Sequence, residues 1–271
     1  MIGWLHLAAL VLYGAAAVLM WISFARGAER LSTAASLLLA AALVVHTVAL
    51  ALFTARWREL PLVGLGPSLS TLAYLVGLGT LIAATVGHAR TVGLVLLPVV
   101  VVLVGVSAAE GLFPAGEAAA FQSVWFVLHV VFAFVGYVGL TVAFAAGLMY
   151  LLQFRELKSK RFGAIFRFFP PLETLDHLGR SGILIGFPFL TLAVLVGWAW
   201  TTRFQGVTAP GNPKLVWVFL SWCVFIAALL ARTGGGRRGH RGAVASVAGF
   251  VIVVVFYLVL RVQSSHGGVF L

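Results

Sequence analysis

The sequence GWAWTTRFQGVTAPGNPKLVWVFLSW, residues 197–222, marks the point where one apolar segment ends and the next begins. Trp198 and Trp200 close the first segment, and Trp217 and Trp222 open the second. Tryptophans at the ends of apolar segments are typical of a membrane–water interface. The stretch therefore predicts two membrane-spanning helices joined by a loop at the membrane surface. A second interpretation stays open, in which the same flat side chains form an aromatic shelf for a flat ligand.

The composition of the whole chain supports this membrane assignment. Of 271 residues, 62% are hydrophobic and 9% are charged, and the mean hydropathy is +1.11. This balance is typical of a polytopic membrane protein. The net charge of +11 needs no nucleic acid to explain it, because basic loops on the inner side of a membrane supply it. Cys223 is the one cysteine, so the chain has no CxxC motif and no internal disulfide.

Eight apolar segments are long enough to cross a bilayer as helices. The first lacks the basic start and the cleavage site of a signal peptide, so we expect it to be retained. The fifth is longer than a bilayer requires and should tilt or project. We predict an all-α bundle of eight transmembrane helices in a single domain, residues 1–271. The segments are residues 3–24, 32–54, 68–87, 91–108, 122–153, 178–202, 214–232 and 242–262.

The distribution of basic residues predicts the orientation of these spans. Thirteen of the 18 Lys and Arg lie in or beside the loops after spans 1, 3, 5 and 7, and five lie on the other side. Positive loops stay inside, so we expect both termini outside and the tryptophan-flanked loop outside. The inner segment 154–177 mixes basic and aromatic residues. This predicts a short helix on the inner surface, with a docking surface for a partner as the alternative.

The absence of some motifs narrows the function. The chain has no GxxxxGK[ST] motif, so we do not expect an ATP-driven motor. Its seven acidic residues all lie in or beside loops, whereas an ion-coupled transporter normally places a carboxylate inside the membrane. A transporter or structural membrane subunit without a cofactor remains as an alternative of another class.

The histidines are the remaining candidates for chemistry. His46 lies inside the second span, about eight residues from its outer end, or ~12 Å below the surface at ~1.5 Å per residue. A buried imidazole must face the bundle and have a partner, which is either a neighbouring helix or an iron or substrate. His6, at the start of span 1, is interpreted as an interfacial residue. His88, His177 and His240 lie at the inner surface with the basic loops.

Two further histidines are predicted to lie near the outer surface. His129 lies near the start of span 5 with Trp125 four residues before it, on the same helical face. His266 follows span 8 in the external tail. Two neutral imidazoles on one side of the membrane can form an axial pair for haem iron. The alternative is that both are polar residues of the interface.

Several pieces of the chain carry a recognisable pattern in a fixed order. They are WFVLHVVFAFVGYVGLTVAFAAGLMYLL at 125–152, GFPFLTLAVLVGWAW at 186–200, GNPKLVWVFLSW at 211–222, and RRGHRGAVASVAGFVIVVVFYLVLRVQSSH at 237–266. With them, roughly residues 30–268 resemble the cytochrome c assembly proteins, the haem-handling membrane proteins of the CcsA, ResC and CcmC types and their HemX-like branch. The run VHTVALAL at 45–52 is similar to the intramembrane histidine of smaller HemX-like members.

The resemblance implies roles for individual residues. His129 and His266 would be the external axial ligands of a non-covalent, b-type haem. Trp125 would lie beside them, and Trp198, Trp200 and Trp217 would belong to the haem-receiving loop. His46 would be a ligand or an intermediate station within the membrane.

The resemblance also implies a function, with departures that leave alternatives open. It implies a multi-pass protein of a bacterial inner membrane that delivers or presents haem at the outer face for cytochrome c maturation. A separate subunit with an external domain, and apocytochrome c, would be its partners, and it could be the channel subunit of a haem–apocytochrome c synthetase. However, Gln205-Gly206 stands where the family has Trp-Gly, and Asn212 where it has Asp. These departures favour a HemX-type accessory or regulator of haem biosynthesis as the alternative.

Overall fold

The computed structural model describes residues 1–114, 123–160, 163–204, 213–232 and 238–264. Within these residues the chain is helical and has no strand, which confirms the predicted all-α class. A 3-10 turn, Arg90–Val92, precedes α4. The helices are α1 Ile2–Arg26, α2 Glu29–Trp57, α3 Leu65–Thr85, α4 Gly93–Glu110, α5 Val124–Ser159, α6 Ala164–Phe168, α7 Leu172–Phe204, α8 Pro213–Leu230 and α9 Arg238–Ser264.

Seven of these helices are long and apolar enough to cross a membrane. The remaining predicted span, the seventh at residues 214–232, is α8, whose apolar part, Leu215–Leu230, is shorter. The chain is therefore a multi-pass helical membrane protein. The predicted inner-surface segment contains α6, a helix of five residues. Which ends of the spanning helices face outward stays a prediction.

The chain packs as two compact units. The first comprises Met1–Gly116 and Met149–Leu178, and the second comprises Glu117–Leu148 and Gly179–Leu271. Two of the three boundaries between them fall inside α5 and α7, and the third falls between Gly116 and Glu117, before α5 begins.

The first unit is built on α1 to α4. In it α1 packs against α2 and α4, and α3 packs against α4 and α2. Small side chains line these contacts, and Ala9, Ala16, Ala35, Ala42 and Ala73 are all completely buried. Small residues let membrane helices approach closely, so that packing between backbones replaces the hydrophobic effect as the stabilising force.

The second unit is built on α8, α9 and the parts of α5 and α7 that belong to it. Here α5 and α7 form an antiparallel pair in which Gly139 lies directly on Gly182 and Gly186. A methyl group at Gly139 would collide with the backbone oxygen of Gly182. Gly182 and Gly186 are four residues apart on one face of α7, and glycines at this spacing let a second helix approach closely. Phe225 of α8 fills the centre and is completely buried.

Candidate functional site

His129 of the second unit lies on the surface of α7. Its Nδ1 is 2.8 Å from the backbone oxygen of Ala193. Its ring also covers Gly197, where an added Cβ would lie 2.5 Å from Nδ1. Since Gly197 follows Ala193 by four residues, one helical turn, the two form a single surface. The glycine therefore provides the space in which the imidazole reaches the carbonyl.

This contact determines which nitrogen of His129 carries the proton. A carbonyl oxygen can only accept, so Nδ1–H must be the donor in the neutral ring. The lone pair is then on Nε2, which makes no hydrogen bond to any described residue. Histidines that bind a metal through one nitrogen are commonly oriented in the same way, by a hydrogen bond from the other nitrogen to a fixed acceptor. The lone pair on Nε2 of His129 is therefore available to coordinate a metal ion or to accept a hydrogen bond.

The predicted aromatic residues near His129 divide into two groups. Trp200 is buried, with its ring centroid 5.3 Å from that of Phe126. Trp125 and Trp198 are exposed, by 48% and 67%. Trp125 lines a shallow open cleft of about 490 Å³ together with Ala199, Thr202 and Arg203. The structure therefore places Trp125 beside the end of α7, as a flat surface next to a cation.

Trp217 has a different environment from the other tryptophans. Its ring stacks on Tyr137, with centroids 5.1 Å apart and planes at 29°. It also contacts Tyr257, and its Nε1 is 3.5 Å from the backbone oxygen of Val253. These contacts join α8 to α5 and α9. Among the described residues, the contacts of Trp217 are therefore packing contacts between helices of the second unit.

Two parts of the predicted site lie outside the described residues. They are His266 and the loop at 205–212, with its departures Gln205-Gly206 and Asn212.

His46 belongs to the first unit, where it is completely buried in a polar cluster. Its Nε2 is 2.9 Å from Ser70 Oγ, and its Nδ1 is 3.2 Å from the Tyr13 hydroxyl. Ser70 Oγ also lies 2.8 Å from His6 Nε2. His6 Nδ1 is in turn 3.2 Å from the backbone oxygen of Ile2. Three helices, α1, α2 and α3, are thereby joined through two imidazoles and two hydroxyls.

Only one arrangement of protons satisfies this cluster with neutral rings. The oxygen of Ile2 must accept, so His6 donates from Nδ1 and accepts at Nε2 from the Ser70 hydroxyl. Ser70 Oγ can then accept from His46 Nε2–H, which leaves His46 Nδ1 to accept from Tyr13. Both nitrogens of both rings are therefore engaged. His46 would have to give up one of these bonds to bind iron, whereas His129 would not.

The structure corrects the interpretation of His6 and adds residues that the sequence did not indicate. His6 was expected at the interface, and this is wrong, because it is 1% exposed and bonded to Ser70. Tyr13 and Ser70 were not predicted as partners of His46. The available signal was that each is a polar residue inside an apolar span, and such residues need a partner.

The described residues contain no group of three His, Cys, Asp or Glu side chains that could hold a metal ion.

Fold and site together define a multi-pass helical membrane protein with an oriented histidine and exposed tryptophans near one end of its helices. Comparison with known proteins gives the family. Residues 4–266 match the family described as Cytochrome C assembly protein, which is almost the whole chain. This chain therefore belongs to the cytochrome c assembly protein family.

Individual relatives agree with this assignment. A cytochrome c biogenesis protein CcsA from Microcystis aeruginosa is 30% identical over 262 residues, which cover 77% of this chain and 79% of the relative. The CcsA protein of Gloeothece citriformis is 29% identical with the same coverage. The CcsA protein of Chlamydomonas reinhardtii is 31% identical over 139 residues, which cover 51% of this chain and 38% of that protein.

Proposed function

We propose that this protein binds haem at the outer face of the membrane and delivers or presents it for cytochrome c maturation. Membership of the cytochrome c assembly family supports the role in maturation. The observation that carries the haem proposal is His129, whose Nδ1 is bonded to Ala193 while its Nε2 has no partner among the described residues. This is the state of a histidine that accepts iron.

A cleft lined by Trp125, one helical turn before His129, suits a flat, anionic, iron-containing ligand. Trp125 offers an exposed aromatic face next to the end of α7. Arg203 lines the same cleft, and its guanidinium suits the carboxylates of haem propionates. Haem, when bound, would supply an iron that takes imidazole nitrogens. We propose that His129 and His266, which come from different segments of the chain, would both hold it.

The chain's own residues have separate tasks in this proposal. Ala193 sets the tautomer of His129, and Gly197 provides the space for its ring. Trp125 and Trp198 exclude water from the ligand's faces. Trp200 and Trp217 hold the helices that carry these residues, through Phe126 and Tyr137.

The context proposed for this activity follows the family. We propose non-covalent haem of the b type, a bacterial inner membrane, and a separate membrane subunit with an external domain that accepts apocytochrome c. In that assembly the chain would be the channel subunit of a haem–apocytochrome c synthetase. His46 is proposed as a haem-binding residue within the membrane only if it can give up its hydrogen bond to Tyr13 or to Ser70 and bind iron instead.

A HemX-type accessory or regulator of haem biosynthesis is the second candidate. The observation in its favour is the loop sequence, in which Gln205-Gly206 and Asn212 replace the Trp-Gly and Asp of the pattern it resembles. Identification of the proteins that are captured with this protein from native membranes distinguishes the two roles. Capture of apocytochrome c with the protein supports delivery, and capture of enzymes of haem synthesis supports regulation.

The test of haem binding is the absorption spectrum of gently purified protein. A Soret band is expected, and His129→Ala and His266→Ala should each lower haem content or convert the spectrum to a five-coordinate form. The double variant should be little worse than the poorer single variant, because two ligands of one iron act as a unit. His177→Ala, at an exposed histidine of α7, is the matched control. A colourless wild type would instead support the cofactor-free alternative.

A further inference from the structure

A second cleft lies at one end of the first unit, away from its buried histidines. Its volume is about 780 Å³. Three arginines from separate elements line it: Arg26 ends α1, Arg90 begins the 3-10 turn, and Arg167 lies on α6. His88 also lines the cleft. Elements far apart in sequence thus bring three guanidinium groups to one concave surface.

The charge of this cleft is positive. Glu29 is the one carboxylate among its lining residues, against three arginines. The positive-inside rule accounts for arginines at this end of the spans. It does not account for their arrangement around a single concave surface, which requires the fold.

The length of α1 leads us to expect this cleft at the depth of lipid headgroups. Helix α1 runs from Ile2 to Arg26, which is ~36 Å at ~1.5 Å per residue. Since the hydrocarbon layer is about 30 Å thick, the end of α1 reaches the headgroup region. The same cleft is lined by Ser32 from the start of α2 and Ala84 from the end of α3. Its position is therefore a common end of three spanning helices.

The remaining lining is apolar and aromatic. Phe24 of α1 contacts Phe168, with ring centroids 5.3 Å apart, and Phe169, at 6.1 Å. Phe169 is followed by Pro170, which is buried. A small soluble anion has no apolar part to contact this surface, whereas the glycerol and first methylenes of a lipid would lie on it. Basic pockets of this kind at the ends of membrane helices suit anionic headgroups.

We propose that this cleft binds one anionic phospholipid, with its phosphate among Arg26, Arg90 and Arg167 and its apolar part against Phe24 and Phe168. Arginine suits this role because its planar fork donates two hydrogen bonds to a phosphate. None of the residues that line this cleft belongs to the haem site proposed above.

The experiment compares two triple variants of the full chain that remove equal charge. Arg26→Gln, Arg90→Gln and Arg167→Gln together empty the cleft of its arginines. The control carries Arg30→Gln, Arg155→Gln and Lys158→Gln, at exposed positions that do not line the cleft. Binding of phosphatidylglycerol and of phosphatidylcholine to the detergent-solubilised proteins is counted by native mass spectrometry.

The expected result is selective loss in the cleft variant. Its affinity for the first phosphatidylglycerol should fall about tenfold or more, because several cations near one headgroup act together. The control should change less than about twofold, since its lost charges act through screened, long-range attraction only. Haem content should be the same in wild type and both variants. Retained phosphatidylglycerol binding in the cleft variant would overturn this site, whatever its haem content. Lost phosphatidylglycerol binding with normal haem content would support it.

Several outcomes would overturn the proposal. Equal losses in the two triple variants would mean diffuse attraction, and equal binding of phosphatidylcholine would mean that the negative charge is not recognised. Displacement of the lipid by millimolar inorganic phosphate would indicate a soluble anion instead. If the triple variant fails to insert, Arg167→Gln on α6 tests the site alone. Arg167→Lys should then retain more lipid than Arg167→Gln, because it keeps the charge.

Discussion

At the level of single residues, His129 and His46 differ in whether one imidazole nitrogen remains without a hydrogen bond among the described residues. His129 donates a hydrogen bond from Nδ1 to the backbone oxygen of Ala193, and its Nε2 has no hydrogen-bond partner among the described residues. His46 uses Nδ1 for Tyr13 and Nε2 for Ser70. The first arrangement suits a residue that binds a ligand through its unpaired nitrogen, and the second suits a residue that joins helices through hydrogen bonds. Sequence position alone could not separate these cases, because both histidines lie in apolar spans.

Gly197 is the residue through which the orientation of His129 can be tested. In Gly197→Ala the new Cβ would lie 2.5 Å from His129 Nδ1, so the ring must move and its bond to Ala193 must weaken. We expect haem affinity to fall, or the Soret band to shift, while helix propensity improves by about 0.5–1 kcal/mol. Gly14→Ala is the control, since nothing lies within 4 Å of its Cβ. Unchanged haem binding in Gly197→Ala would mean that this contact does not prepare a ligand.

Ser70 tests the structural role of the buried cluster. Ser70→Ala leaves Nε2 of both His6 and His46 without a partner. We expect a loss of about 1–3 kcal/mol in stability, seen as a lower unfolding temperature in detergent, because buried polar atoms are costly to leave unpaired. Ser36→Ala, which removes only a bond within α2, should have little effect. Haem content per folded molecule should stay normal, and a marked fall would instead favour His46 as a ligand.

At the level of helices, most of the fold follows from the sequence. Apolar length predicts the eight segments, and the small residues Gly182 and Gly186 predict a close contact. The partner of that contact, Gly139, was not predicted, because the relative register of two helices depends on tertiary packing and not on either sequence alone. The same reason explains Ser70, which reaches His6 and His46 only once three helices have assembled.

Gly139 provides the corresponding test for the α5–α7 pair. In Gly139→Ala the added methyl group meets the backbone of Gly182 and lies 2.9 Å from Cα of Gly186. Backbone atoms cannot move aside individually, so the helices must separate, at a cost of about 1–3 kcal/mol. We expect a lower unfolding temperature. Gly105→Ala, with nothing within 4 Å of its Cβ, should not lower it, and equal stability of the two variants would contradict the observed packing.

At the level of the whole molecule, the two compact units hold different kinds of histidine. The first unit encloses His6 and His46 and carries the arginine-lined cleft at one end of its helices. The second unit presents His129 and the exposed Trp125 and Trp198. The closed cluster contributes to packing, and the open site is the one proposed to supply a ligand to haem. The sequence predicted which residues were candidates, and the packing of each unit determined which of them retained an unused nitrogen.

The proposed pairing of His129 with His266 depends on the orientation of the chain in the membrane. Thirteen of 18 basic residues lie on one side, so the C-terminus should be external and the segment at 159–167 internal. Alkaline phosphatase is active only outside, and a green fluorescent reporter folds only inside. We therefore expect phosphatase activity from a fusion after Leu271 and fluorescence from an insertion within 159–167. The reverse reporter at each position is the control. An internal C-terminus would separate His266 from His129 by the thickness of the membrane, and then the two histidines could not hold one haem.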